Sequence, residues 1–319
     1  MDVPSQVLKI AEDIKSMKVR GAGRIAREAA RALIIFSEQS EDKDVSGFMK
    51  KLDYVARLLI NTRPTAVSLP NAIRYVLSRA YKTLECTSDV EKLREVVVYS
   101  ARKFISDSLV AVERIGDIGS KLVKDGMTIL THCHSTAVIS ILKHAWFSGK
   151  RFNVICTETR PKFQGRITAR ILSGFGIPTT LIVDGATRYF MHDVDVIFVG
   201  ADAIASNGAL VNKIGTSMIA LAAREARKPF FVAAETYKFA PETLSGKLIK
   251  VEERPENEVL PKREIEKMKG VSIRNPAFDL TPPQYITAII TERGVIPPQA
   301  AVSILVEFLG WSLEQFSKF

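Results

Sequence analysis

The sequence predicts an α/β protein in two parts, an N-terminal helical domain over 1–120 followed by a Rossmann-like domain with a mostly parallel sheet over 121–319. Three observations predict it. Apolar residues recur with helical period almost throughout 4–120, and no convincing strand interrupts them. From about Lys124 the rhythm changes to short apolar runs alternating with helical segments, a pattern that builds a parallel sheet through right-handed crossovers. Chemistry-bearing residues also gather just after the predicted strands, where open α/β sheets place their ligands.

In the first part, helical pattern covers 7–14, 25–36, 48–60, 72–84 and 90–115. Breaks fall at Arg20-Gly21-Ala22-Gly23, at the acidic stretch 40–44, and at Asn61-Thr62-Arg63-Pro64-Thr65, where Pro64 biases Arg63 away from helix. In the second part, strands are expected at 128–130, 153–156, 179–183, 194–199 and 229–233, with helices over 135–148, 165–175 and 217–227. Ser206-Asn207-Gly208 signals a tight turn. The charged segment 241–270 reads as an insertion, 274–279 as an irregular loop, and 282–290 as a helix.

Hydrophobic residues make up 46% and charged residues 25% of the 319, with no low-complexity tract, which excludes a disordered chain. The net charge is +10, but Lys and Arg are interleaved with Glu on helical faces. A nucleic-acid binder would show a basic stripe with interleaved aromatics, so anionic small molecules are the expected partners and nucleic acid is not. Cys86, Cys133 and Cys156 form no CxxC pair, so a reducing cytoplasm is expected. The start lacks a basic region followed by an apolar core, and no apolar run reaches the roughly 18 to 20 residues of a membrane span, so neither export nor a membrane partner is expected.

Cys133 lies in Thr131-His132-Cys133-His134-Ser135, between a strand and the N-terminus of a helix. The helix field favours a thiolate there, which would ready Cys133 for acid-base or nucleophilic work. Cys86 and Cys156 read as packing residues. His132 and His134 flank Cys133, but strand geometry would turn them to the opposite face, so no metal site is expected. Arg20-Gly21-Ala22-Gly23 supplies a cation and a flexible loop opening a helix, a phosphate nest. Arg63 is a second anion clamp, and Glu158-Thr-Arg160-Pro places Arg160 and Gln164 beyond the second strand. Asp202 follows the fourth strand, and Asn212-Lys213-Ile-Gly215-Thr216 leads into the next helix. Carboxylate, amide, ammonium and helix N-terminus together suit a sugar phosphate. No GxGxxG follows a strand and no Walker loop occurs, which argues against nucleotide-dependent hydride or phosphoryl transfer.

As a set, Arg20-Gly-Ala22, Asn61-Thr-Arg-Pro-Thr-Ala66, His132-Cys133, Glu158-Thr-Arg-Pro161 with Gln164-Gly165, Gly200-Ala-Asp202, Asn207-Gly208, Asn212-Lys-Ile-Gly-Thr216 and Asn275-Pro-Ala-Phe-Asp279 resemble one superfamily. It contains methylthioribose-1-phosphate isomerase, archaeal ribose-1,5-bisphosphate isomerase and the α, β and δ regulatory subunits of translation initiation factor 2B. The resemblance spans essentially the whole chain. It implies the two-domain layout, a dimer-based homo-oligomer, in this case a hexamer, and no redox or metal cofactor.

The regulatory subunits typically lack the cysteine and aspartate of the isomerases, so Cys133 and Asp202 imply an enzyme. The methylthioribose type usually has proline after Arg-Gly-Ala and a Cys-Asn-Ala-Gly turn. Here stand Gly23-Arg24 and Cys133-His-Ser135-Thr136, with Lys238 in Glu235-Thr-Tyr-Lys-Phe239. A second phosphate needs cations and donors, so Arg24, Ser135 and Lys238 point to the bisphosphate. The Tyr-Lys-Phe pattern is shared with the regulatory subunits. The resemblance thus implies isomerisation of ribose 1,5-bisphosphate to ribulose 1,5-bisphosphate, within AMP and nucleoside salvage. Cys133 is assigned as base and Asp202 as acid, or the reverse. Arg20, Gly21, Ala22, Gly23, Arg24, Arg63, Ser135, Gln164, Asn212, Lys213 and Lys238 are the substrate-binding set. AMP is a candidate effector for which no residue marks a site.

Overall fold

The computed structural model describes residues 3–63 and 66–308. The chain divides into two compact units, Met1–Val110 and Ala111–Phe319, with the division inside one long helix.

The first unit is helical, as its apolar period requires: α1 (Ser5–Lys15), α2 (Ala22–Gln39), α3 (Val45–Thr62), α4 (Ser68–Leu84) and the start of α5 (Val90–Ser120). Each helix turns a stripe inward. Val7, Ala11 and Ile14 of α1, Ala29, Leu33 and Phe36 of α2 and Leu52, Val55 and Leu59 of α3 recur at three- and four-residue steps and are buried. The rings of Phe36 and Phe48 stack 5.7 Å apart. Asp44 caps α3 by accepting the Gly47 N–H at 2.8 Å.

The second unit alternates as expected: β1 (Thr128–His132), α6 (Thr136–Phe147), β2 (Asn153–Thr157), α7 (Gln164–Gly174), β3 (Thr179–Ile182), a short α8 (Thr187–Phe190), β4 (Val196–Gly200), a β5 (Ala203–Ile204) and β6 (Leu210–Lys213) hairpin, α9 (Thr216–Glu225) and β7 (Phe230–Ala233). Three more strands follow, β8 (Phe278–Thr281), β9 (Ala288–Thr291) and β10 (Gly294–Ile296). The main sheet runs β10-β9-β7-β4-β1-β2-β3, parallel except for β10. Alternate strand residues feed two cores. Ile129, Val154 and Phe198 meet Val138, Ile141 and Leu172 of α6 and α7, while Leu130, Ile155 and Ile197 meet Ile219 and Ala223 of α9 on the other side.

Two expectations for the C-terminal part need correction. Residues 282–290 do not form a helix. Pro283–Tyr285 make one tight turn and Ala288–Thr291 join β7 as a parallel strand buried at every position. Ile286, Thr287, Ile289, Ile290 and Thr291 are β-branched, and burial on both faces hides the alternation that would mark a strand. The stretch read as an irregular loop ends in β8, which pairs antiparallel with β6 in a small second sheet, β5-β6-β8. The tight turn at Ser206-Asn207-Gly208 is the β5–β6 connection, where Gly208 N–H donates to Ala205 O at 2.8 Å.

Candidate active site

Successive crossovers carry the chain from β1 outward to β2 and β3, and β4 then returns to the other side of β1. The order of strands reverses between β1 and β4, and the crevice at their C-terminal ends is where such sheets hold ligands. Cys133 is the first residue after β1 and Asp202 the second after β4. His132 and Val199 are paired in register, so the two loops start side by side. Gly200 makes room for this meeting. A Cβ at that position would fall 2.5 Å from the Ser135 hydroxyl oxygen.

Cys133 adopts φ +67, a left-handed conformation that L side chains rarely accept. Both of its backbone groups are held: the N–H donates to Thr159 Oγ1 at 2.9 Å and the carbonyl accepts from Thr168 Oγ1 at 2.8 Å. Burial pushes the thiol up to about 11; Lys213 pulls it down and Asp202 adds to the rise. The low-titrating thiolate expected from the α6 field is therefore not what the fold produces, because burial is the largest influence and the Lys213 charge and the His134 N–H offset only part of it. That N-terminus is already capped by Ser135, which accepts the Val138 N–H at 3.4 Å.

The two flanking histidines serve different elements. His132 is buried, which lowers its titration, and Nε2 lies 2.9 Å from the Ile214 carbonyl, an acceptor only. Nε2 thus carries the hydrogen, and Nδ1 accepts from Thr157 Oγ1 at 2.6 Å. Neutral His132 ties the Cys133 turn to the turn that follows β6. His134 Nδ1 lies 3.1 Å from Thr168 Oγ1.

The β5–β6 hairpin returns Asn212 and Lys213 to the same edge, since Asp202 N–H donates to Val211 O at 3.0 Å. Asn212 is buried and donates to Thr216 Oγ1 at 3.0 Å. Lys213 Nζ donates to the Ala277 carbonyl at 3.0 Å and sits 4.7 Å from the Phe278 ring centre. Among the described residues no carboxylate pairs with it at ion-pair distance, and its charge reaches Cys133. The helix N-terminus beyond Lys213, expected to hold an anionic ligand, is occupied from within. Asp279 accepts the Gly215 and Ser217 N–H groups there.

Gln164 opens α7 with its Oε1 buried and, among the described residues, lacking a hydrogen-bond partner. Gly165 lets this helix press on β2, because a Cβ there would lie 1.7 Å from the Thr157 carbonyl oxygen. Arg160 is exposed and donates to Val259 O at 3.1 Å. Lys238, expected as a cation for a second phosphate, lies 2.7 Å from Glu235 Oε2, with both side chains at most 8% exposed. Burial alone would lift Glu235, but the Lys238 ammonium brings it below the ordinary carboxylate range.

In the first unit, Gly21 is the N-cap of α2 at φ +87, with no side chain capping the helix and no acid in its first turn. Ala22 and Gly23 are half-buried and Arg24 is exposed. Met17 gathers two of the expected anion clamps: Arg20 Nε donates to its carbonyl at 2.8 Å, and buried Arg63 reaches its sulfur. Pro64 and Thr65 lie outside the described residues.

Sequence reasoning missed Thr159, Thr168, Asp184 and Asp279 as residues that shape the site. Thr159 and Asp279 lie within motifs singled out above, but only the fold shows what they touch. Asp184 could have been flagged as a carboxylate just beyond the third strand.

A model of the initiation factor 2 subunit family matches residues 18–298. The chain is 51% identical over 315 residues to ribose 1,5-bisphosphate isomerase of Thermococcus kodakarensis, covering 98% of each chain. It is 38% identical over 303 residues to methylthioribose-1-phosphate isomerase of Acetivibrio thermocellus, covering 91% of this chain and 88% of that one. The crystal structure of Pyrococcus horikoshii OT3 translation initiation factor eIF-2B superposes with a TM-score of 0.79 at 31% identity, over 94% of this chain and 100% of that one. Matched along nearly its whole length, in sequence and in fold, the chain belongs to the initiation factor 2 subunit family.

Proposed function

We propose that the chain is an aldose-ketose isomerase that converts ribose 1,5-bisphosphate to ribulose 1,5-bisphosphate. The observation that carries this reading is the meeting of Cys133 and Asp202 at the β1–β4 switch point, within electrostatic reach of each other and of Lys213. Half-identical relatives carrying that name support it.

The 1-phosphate leaves no proton on the anomeric oxygen, so the ring cannot open in the ordinary way. An acid must protonate the ring oxygen as its bond to carbon 1 breaks, while a base removes the proton from carbon 2. The resulting enol phosphate gains a proton at carbon 1 and loses one from the carbon 2 hydroxyl. The shift is internal and needs no electron acceptor. A thiol lifted to about 11 holds its proton at neutral pH, which supports taking Cys133 as the acid and Asp202 as the base, the second of the two assignments the sequence left open.

Lys213, Asn212, Ser135, Gln164, Lys238, Arg20, Gly21, Ala22, Gly23, Arg24 and Arg63 are the residues this reading assigns to the sugar phosphate. The reading also carries a cytoplasmic, dimer-based homo-oligomer, a hexamer, with AMP as effector in AMP salvage.

Phosphorus NMR of purified protein with ribose 1,5-bisphosphate, and in parallel with methylthioribose 1-phosphate, tests the reading. Conversion of the bisphosphate, lost in Cys133→Ser and Asp202→Asn, is expected. Turnover of the methylthio sugar alone would keep the chemistry and change the substrate. Turnover of neither would overturn the enzyme reading in favour of a regulatory subunit.

A further inference from the structure

The left-handed Cys133 is held by Thr159, and Thr159 is itself left-handed at φ +64. A conformation of that kind persists only where the surroundings over-determine it. The Thr159 carbonyl accepts the Phe163 N–H at 2.7 Å, and its N–H is held by a carboxylate. Asp184 Oδ1 accepts the Thr159 N–H at 2.7 Å, and Oδ2 accepts the Arg160 N–H at 2.7 Å. The β2–β3 ladder continues up to this clamp, since Glu158 N–H donates to Ile182 O at 2.8 Å. Gly165 closes it from the other side, with its Cβ position 3.0 Å from Thr159 Oγ1. Asp184 beyond β3, Thr159 beyond β2 and Cys133 beyond β1 thus form a chain of contacts across three adjacent strand ends.

We propose that Asp184 and Thr159 are positioning residues for the isomerisation, a relay that fixes the Cys133 sulfur for proton transfer. The proposal rests on the isomerase reading. Neither residue acts on the sugar; both act through Cys133. Asp184 also adds its negative charge to the field at the sulfur. The groups whose charge or hydrogen bond acts on that sulfur are Lys213 at the end of β6, Asp202 after β4, the His134 N–H of the same turn and Asp184 after β3. His132, held neutral, contributes no charge of its own.

The test follows alkylation of Cys133 by iodoacetamide against pH, mapped by peptide mass, alongside kcat and KM for ribose 1,5-bisphosphate. The protein is full length and carries Cys86→Ser, because Cys86 is exposed whereas Cys156 is buried. Asp184→Asn is expected to move the alkylation profile to lower pH, since it removes one negative charge facing the sulfur. Thr159→Val is expected to lower kcat roughly 10- to 100-fold with KM changed less than about threefold, while Thr159→Ser, which keeps the acceptor, stays within about threefold of the parent. An Asp184→Asn profile that superimposes on the parent overturns the proposal. So does a Thr159→Val kcat equal to that of Thr159→Ser. Should Thr159→Val fail to fold, the alkylation profile of Asp184→Asn decides. Should the parent itself turn over no bisphosphate, the isomerase reading falls, and the alkylation shift still reports whether Asp184 acts on Cys133.

Discussion

Asp279 accepts the Gly215 N–H at 2.8 Å and the Ser217 N–H at 3.1 Å, so an internal carboxylate fills the N-terminus of α9. Burial raises its carboxyl from 3.8 to about 6, against the pull of those N–H groups and of Lys213. The folded state therefore binds this proton more tightly than the unfolded chain. The stability it contributes is full below the unfolded value and is lost as pH rises to about 6. Wild type minus Asp279→Asn melting temperature is expected to be largest near about pH 4 and to shrink toward about pH 7. A difference that grew with pH would reverse the sign of the argument.

The thiol of Cys133 makes the acid-base assignment testable by pH. As acid, it stays competent until it ionises near about 11, so the limb of kcat/KM that depends on Cys133 should be level through neutral and mildly alkaline pH and fall only above it. As base, it would give a rate rising steadily toward that value. Cys133→Ser and Asp202→Asn should each lower kcat by roughly 100-fold or more. Near-normal turnover in either variant removes that residue from the mechanism.

Gln164 keeps a buried amide oxygen without a partner among the described residues, which costs folding free energy and is useful if the substrate supplies a hydroxyl. Replacing it by methionine should leave stability unchanged or slightly higher. The KM for the bisphosphate should rise by roughly tenfold, the worth of about one hydrogen bond. Unchanged KM with lowered stability would make Gln164 a packing residue.

Glu235 and Lys238 balance each other inside the protein. Lys238→Met leaves the buried carboxylate without its cation, held by the Tyr237 hydroxyl at 3.0 Å, and should cost roughly 3–5 kcal/mol in urea denaturation. Adding Glu235→Gln should recover most of it, because the stranded charge is then gone. The KM of that double variant, measured in a folded protein, reports any contribution of Lys238 to phosphate binding. A single-variant loss under about 1 kcal/mol would show that the pair is solvated.

The helices of the first unit and strands β1 to β4 and β7 were legible because their apolar patterns are local and long enough to count. β8 and β9 were not. Strand β9 reads as a continuous apolar run like a buried helix, and β8 is defined by the hairpin it pairs with rather than by its own residues. Within the site, Cys133 and Asp202 stood out because each ends a recognisable strand. Thr159, Asp184 and Asp279 did not, since a threonine or aspartate in a loop declares nothing until its acceptor is aimed at a particular N–H.

By itself the sequence determined the fold class and the places where β1 to β4 and β7 end, which follow from periodicity and turn residues a few positions apart, and it marked Cys133 and Asp202 as candidates. Tertiary structure alone decided how those groups behave. It placed β4 beside β1, so that Asp202 and Cys133 meet from residues far apart in the chain. It filled the α9 N-terminus with Asp279 and balanced Lys238 with Glu235. It also turned the expected thiolate at Cys133 into a protonated thiol, because desolvation depends on everything packed around the sulfur and no local pattern encodes that sum.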